Sequence, residues 1–286
     1  MNTEYFANGI KLWQAPQTEM RGPSMGYVFI TSSGKLICID SGIAPEAEEF
    51  YNFLKENAKE FDKDGKIVIE AWFITHNHSD HIGALNVLIK DYSDKISIKR
   101  IYYNFPPLSY CKLDVGYGSS NNDIMCTEKF YELIAEKSIP VTIVNAGDEF
   151  NFVGLNLKIL FVPDISIDKN RINNASIVIK AETGKKNVLF LGDLGAEGGD
   201  KLLNSKYREE LKCEIVQMAH HGQGGVKEDF YIYTGAKIAL WPTPFWLYTT
   251  PNETHDFLHC DIARKWLLNM GCTIEYIAKD GGILLE

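Results

Sequence analysis

The 286-residue chain has no closely spaced cysteines, no long apolar run and no excess of positive charge. Its six cysteines (Cys38, Cys111, Cys126, Cys213, Cys260 and Cys272) are scattered, which excludes a disulfide framework and a CxxC zinc knuckle. Cys38 and Cys213 fall in apolar stretches and read as buried small hydrophobes. Cys111 and Cys126 lie on or beside a long loop and are the two placed to be an extra metal ligand. No stretch approaches the length of a membrane span. The first thirty residues lack the apolar core of a signal peptide. These absences lead us to expect a cytoplasmic protein with no membrane contact. Lys and Arg total 29 against 38 Asp and Glu, a net charge of −9. A protein that coats nucleic acid needs surface cations to neutralise phosphate, so that class is disfavoured, although a local basic groove is not. Histidine is scarce too: the chain has seven.

Three of the seven fall within six residues, in Thr75-His-Asn-His-Ser-Asp-His-Ile-Gly83. An apolar strand, Ile67 to Ile74, leads in, and a helical pattern, Ile82 to Ile89, leads out. The run therefore sits at a strand-to-helix turn, where open α/β folds place their sites. In extended backbone, residues two apart point the same way, so His76 and His78 can converge on one ion. Asp80 and His81 fall where the chain turns and can aim at a second point nearby. Imidazole suits zinc and similar borderline metals, and a carboxylate balances the dication. A plain helix cap would favour Ser, Asp or Asn over His.

Two further segments share this logic. Asn187-Val-Leu-Phe-Leu-Gly-Asp193-Leu-Gly195 is an apolar strand ending in Gly-Asp, where an aspartate can bridge two cations or simply make a turn. Cys213-Glu-Ile-Val-Gln-Met-Ala-His220-His221-Gly222 is another, delivering two histidines. One of the pair reads as a ligand, the other as its partner or a substrate contact.

The remaining pattern is ordinary α/β. Met25 to Thr31 and Lys35 to Asp40 read as a hairpin. Helices are expected over Pro45 to Glu60, Asp123 to Ser138, Val226 to Tyr233 and Ile262 to Met270. Ile177 to Lys180 and Asn187 to Leu191 read as a second hairpin. Residues 104–122 form a long aromatic segment without periodicity. We expect a lid, with Phe105, Tyr110 and Tyr117 as candidate substrate contacts, or a packed loop that its aromatics pin down.

Together the Thr75–Gly83 run, Gly192-Asp193, His220 and the strand end Cys38-Ile-Asp40-Ser-Gly42 resemble the metallo-β-lactamase superfamily over roughly residues 25 to 286. The resemblance implies an α/β four-layer αββα sandwich. It would be a single domain, 1–286, of two pseudo-equivalent halves at roughly 1–145 and 146–286. It implies His76 and His78 as ligands of a first metal, Asp80 and His81 as ligands of a second, Asp193 as the bridge and His220 as the last ligand of the second. Asp40 would hydrogen-bond a ligand from behind. The family usually adds a third His to the first metal from a loop between these motifs, and no His lies between His81 and His220. In its place stands Asp168-Lys-Asn-Arg-Ile-Asn173-Asn174-Ala-Ser176. This Asn-rich turn, the His-His-Gly and the tail from Asn252 to Gly282 resemble the hydrolase-like branch found in bacterial competence (DNA-uptake) proteins. Asn173, Asn174, Asp168 or water would fill the vacant place, and manganese becomes plausible beside zinc, one or two ions per chain.

The implied function is a metal-dependent hydrolase that uses a metal-activated hydroxide. Asp80 would orient the hydroxide, and His221 or His255 would protonate the leaving group. The competence-like features favour a phosphodiester, either a nucleic acid end or a small nucleotide, and the acidic balance favours the smaller substrate. A lactone, thioester or β-lactam hydrolase would use the same core. A degenerate, non-catalytic binding module is the third reading.

Overall fold

The computed structural model describes residues 4–17, 22–114, 121–250 and 260–286. Within them the chain builds two mixed β-sheets packed face to face, with helices on both outer surfaces. This is the α/β sandwich in four layers that the family resemblance implies.

The first sheet contains β1 (Lys11–Gln14), β2 (Gly26–Ile30), β3 (Leu36–Asp40), β4 (Ile67–Phe73), β5 (Ile96–Ile98), β6 (Ile101–Tyr103) and β7 (Val141–Ile143). The second contains β8 (Glu149–Phe152), β9 (Leu155–Phe161), β10 (Val178–Glu182), β11 (Val188–Phe190), β12 (Ile215–Gln217), β13 (Ile238–Trp241) and β14 (Ile274–Ile277). The last strand, β15 (Ile283–Leu285), returns to the first sheet and pairs antiparallel with β1, Leu12 opposite Leu285. The spatial orders are β15-β1-β2-β3-β4-β6-β7, with β5 also on β4, and β14-β13-β12-β11-β10-β9-β8. The division near residue 145 thus falls between the two sheets, except that β15 crosses it.

Each sheet is antiparallel on one side and parallel on the other. β3, β4, β6 and β7 run parallel, as do β11, β12, β13 and β14. Parallel strands buried on both faces need continuous apolar runs, which β11 and β13 have, whereas the edge strands β7 and β14 are partly exposed. Along β3 and β4, alternate side chains feed two cores. Leu36, Cys38, Ile69 and Trp72 pack under the outer helices, whereas Ile37, Ile39, Ala71 and Phe73 face the second sheet.

The helices α1 (Ala47–Asn57), α2 (Ser79–Asp91), α3 (Leu108–Cys111) and α4 (Asn121–Glu136) belong to the first half. The second half carries α5 (Ala196–Leu203), α6 (Glu228–Thr234), α7 (Phe245–Thr249) and α8 (Asp261–Asn269). Helix α1 is shorter than the expected 45–60 because Pro45 lies in a 3-10 turn before it. The 104–122 segment is not wholly irregular, since α3 occupies part of it. Its residues 115–120, including Tyr117, lie outside the described residues, as does His255. No helix among the described residues is long and apolar enough to cross a membrane.

Candidate metal centre

The C-terminal ends of β3, β4, β11, β12 and β13 meet at one edge of the sandwich. Each delivers a polar group there: Asp40, the His76–His81 run, Asp193, His220 with His221, and the carbonyl of Pro242. All the named side chains except Asp80 and His220 are essentially buried.

Two sets of donor atoms converge. Asp80, His81, Asp193 and His221 form one, and His76, His78 and Asp193 the other, with one donor atom per residue and all donors in a set within 4.8 Å of one another. Asp193 belongs to both. Its Oδ1 lies 3.3 Å from His81 Nε2, and its Oδ2 lies 3.5 Å from His221 Nε2 and 3.8 Å from His76 Nε2. His76 Nε2 and His78 Nδ1 are 2.9 Å apart.

The backs of these rings are held. His81 Nδ1 donates to Asp40 Oδ2 at 2.8 Å, and His221 Nδ1 donates to the Pro242 carbonyl at 2.8 Å. The Thr75 hydroxyl donates to Asp40 Oδ2 at 2.7 Å, which leaves its oxygen to accept from His76 Nδ1 at 3.1 Å. With each Nδ1–H so engaged, the Nε2 atoms of His76, His81 and His221 all face the cluster. Such fixing of tautomer and ring orientation is the usual surrounding of metal-binding imidazoles. Gly192 adopts φ +53°, and a Cβ there would come within 2.8 Å of Thr75 Cβ, so glycine is what lets this threonine approach.

The unsatisfied atoms point inward. His81 Nε2, His221 Nε2 and Asp193 Oδ1 are buried and make no hydrogen bond. Leaving such groups unmade is costly, and imidazole nitrogens set among carboxylate oxygens have the donor chemistry of a divalent cation site. The titration directions agree. Burial pushes the His221 ring down, but the carboxylates of Asp193 and Asp80 outweigh it and hold the ring at about 10. Burial likewise pushes the His81 ring down, but Asp193, Asp40 and Asp80 outweigh it and hold the ring well above its usual value. Burial would raise Asp80, yet His81 and His221 bring it down to about 2. Burial keeps the His76 and His220 rings low and therefore neutral.

The structure redistributes several expected roles. His221, expected to act on the leaving group, stands in the Asp80 set, with Nδ1 held by the Pro242 carbonyl and Nε2 facing the other donors. His220, expected there as the last ligand, turns aside. Its Nε2 is 4.0 Å from Asp193 Oδ2 and 3.3 Å from Asn173 Nδ2. The cause is backbone: His220 and His221 both adopt left-handed conformations, φ 51° and 55°, so the two rings diverge. Asn174 is no substitute ligand. Its Oδ1 accepts from Gly198 N at 2.9 Å near the start of α5, and its Nδ2 donates to Lys169 O at 2.9 Å. Asp168 is exposed and outside both sets. Asn173 is buried beside His220, held through Nδ2 by Asn170 Oδ1. Phe105 packs against Tyr103, Phe130 and Tyr131 in the outer core, rather than lining a pocket. The Tyr110 hydroxyl donates to the Ile167 carbonyl and its ring lies under Arg171, so it pins α3 to the Asn-rich turn. Neither Cys111 nor Cys126 enters a donor set; Cys111 is buried against Asn77. Thr75 and Ser176, to which the sequence motifs give no role, also hold the site. Ser176 Oγ lies 3.3 Å from His76 Nδ1 and accepts from Asp193 N at 3.0 Å. The one sequence signal for Thr75 is its place at the mouth of the histidine run.

The family model of the metallo-beta-lactamase superfamily matches residues 22–160. ComE operon protein 3 of Bacillus subtilis (strain 168) is 27% identical over 173 residues, covering 60% of this chain and 20% of that protein. The uncharacterized protein YcaI of Escherichia coli (strain K12) is 24% identical over 218 residues, 74% of this chain and 23% of that protein. The chain thus spans less than a quarter of the length of these curated relatives. Among solved structures, the metallo-beta-lactamase fold protein YhfI of Bacillus subtilis superposes with a TM-score of 0.57 at 15% identity, over 96% of this chain and 98% of that one. Given two helix-flanked mixed sheets, the histidine run at the end of β4 and these matches, the chain carries the metallo-β-lactamase superfamily pattern over residues 22–160, has that fold, and resembles the competence-protein branch.

Proposed function

We propose that the protein is a metal-dependent hydrolase with a binuclear centre, acting on a phosphodiester of a small nucleotide or a nucleic acid end. The observation that carries this is Asp193, whose carboxylate stands in both sets of donors, Oδ1 facing His81 and Oδ2 facing His221 and His76. His76, His78 and Asp193 would hold one cation, and Asp80, His81, His221 and Asp193 the other. Zinc suits these nitrogen-rich sets, and manganese is the second choice. Bound there, a pair of divalent cations supplies acidified water and polarises the scissile oxygen.

The chain's own residues do the positioning. Asp40 and the Pro242 carbonyl fix the rings of His81 and His221 from behind, so the donors are arranged before substrate arrives. Asp80 is the carboxylate of the cluster that reaches solvent, 22% exposed against 2% for Asp193. It can therefore orient the attacking water and hold its proton. The described residues offer no settled acid for the leaving group, since His221 is held at Nδ1 by the Pro242 carbonyl and turns Nε2 to the other donors.

The phosphodiester assignment is supported by the likeness to ComE operon protein 3, and the net charge of −9 favours a small substrate over long duplex. The six cysteines are free thiols, which supports a reducing, cytoplasmic location. The test is chelation, then reloading with zinc or manganese and assay on bis(p-nitrophenyl) phosphate beside a lactone, a thioester and a β-lactam. We expect metal-restored turnover of the diester. Turnover of the others alone would replace the substrate assignment, and no metal uptake would leave a binding module.

A further inference from the structure

His220 belongs to neither donor set, yet its Nε2 lies 4.0 Å from Asp193 Oδ2, the oxygen that also faces His76. We propose that His220 supplies the third imidazole for the cation held by His76, His78 and Asp193, so that the adjacent pair His220-His221 serves both metal positions, one ring each. The proposal rests on reading the cluster as a metal centre.

Three observations carry it. The first is position. His76 Nε2 and His220 Nε2 approach the same oxygen, Asp193 Oδ2, at 3.8 and 4.0 Å, while His78 Nδ1 lies 2.9 Å from His76 Nε2. Bonds of about 2.0–2.2 Å to a common ion place donor atoms roughly 3–4 Å apart. His220 thus needs only a small turn of its ring to complete the set.

The second is protonation. Asn173 Nδ2 faces His220 Nε2 at 3.3 Å, and an amide NH₂ can only donate, so it meets a lone pair. His220 Nε2 is therefore in the form that binds a cation. Its other nitrogen, Nδ1, is buried without a hydrogen-bond partner.

The third is backbone. His220 and His221 are two consecutive non-glycine residues at positive φ, a conformation that L side chains rarely adopt. That conformation sends the rings apart, centroids 6.2 Å and planes 55°. Both rings still reach Asp193 Oδ2, His221 at 3.5 Å and His220 at 4.0 Å. Among the substitutes, Asn174 is occupied near α5 and Asp168 is exposed. Asn173 keeps a buried Oδ1 without a partner and is the competitor, but it turns its Nδ2 toward His220.

The test is zinc stoichiometry and affinity by equilibrium dialysis against a chelator, with Co²⁺ absorption spectra, for wild type, His220→Ala, His221→Ala and Asn173→Ala. We expect about two ions in wild type, and at least the 10–100-fold weakening typical of lost supporting groups at one position in His220→Ala. His221→Ala should weaken the other position, with a different cobalt spectrum. Asn173→Ala should keep both ions. Two ions at wild-type affinity in His220→Ala, or loss of the first ion in Asn173→Ala alone, would overturn the proposal while leaving the metal centre standing. A wild type that takes up neither zinc nor manganese would overturn both. Should His220→Ala lose its native circular dichroism, anomalous density in wild-type crystals grown with zinc decides. An ion about 2.0–2.1 Å from His220 Nε2 supports the assignment. Asn173 oxygen or water in that place refutes it.

Discussion

Asp40 accepts hydrogen bonds from both His81 Nδ1 and the hydroxyl of Thr75, so one buried carboxylate sets the tautomer of a ring in one donor set and, through Thr75, of His76 in the other. Asp40→Asn keeps the shape but offers one acceptor oxygen and a competing NH₂. We expect a loss of about 10–100-fold in metal affinity with the fold intact. Chelator competition measures it, and unchanged affinity at both positions would remove Asp40 from the machinery.

Asp193→Asn should do more, because the side chain is shared by both sets. Metal content should fall at both positions together, and turnover by more than about 100-fold. Elemental analysis beside a diesterase assay reads this, and a variant with two ions and near-normal turnover would end the bridging role.

Cation binding should release protons. In the metal-free protein His221 titrates at about 10 and His81 well above its usual value, so at neutral pH both rings carry a proton on the nitrogen a cation would need. About two protons should leave on loading at pH 7, and affinity should rise with pH. Calorimetry in buffers of different ionisation enthalpy counts them. The metal-free fold should behave oppositely. The stabilisation from His221, whose value is raised from 6.5, is complete below 6.5 and lost as pH climbs through about 10. That from Asp80, lowered from 3.8, is present above 3.8 and lost as pH falls through about 2. Melting temperature of the chelated protein should therefore decline from pH 7 to 10, and a flat profile would refute the assigned charges.

Gly222→Ala should disturb the histidine pair without touching a ring. Gly222 has φ +84°, and a Cβ would sit 2.3 Å from Trp241 Cζ3. Trp241 is fully buried in a packed core, so the loop must move. Overpacking of this kind costs about 1–3 kcal/mol, which a urea titration resolves. Metal affinity should fall with it, since His221 leans on the adjoining Pro242 carbonyl.

The local part of the site was legible in the sequence. His76, His78, Asp80 and His81 lie within one turn of chain, so their convergence follows from strand geometry and needs no distant contact. Asp193 was legible for a similar reason, as a strand end. What failed was whatever depends on the fold at long range. Which of His220 and His221 joins Asp80 is decided by two positive φ angles, beside a glycine seated against Trp241. Asn174 reads like a spare ligand until α5 arrives and takes its oxygen. Phe105 reads like a substrate contact until α4 brings Phe130 and Tyr131 beside it. The helices and hairpins were legible from periodicity, whereas the return of β15 to the first sheet was not. Pairing partners 270 residues apart leave no mark on local pattern.

That return shapes how the molecule can assemble. Leu12 must find Leu285 before the first sheet is complete, and closing so large a loop is slow. During synthesis the edge of β1 stays unpaired until the final strand emerges. A fragment ending near residue 145 would carry the whole histidine run and yet expose that edge, a template for pairing with its own copies.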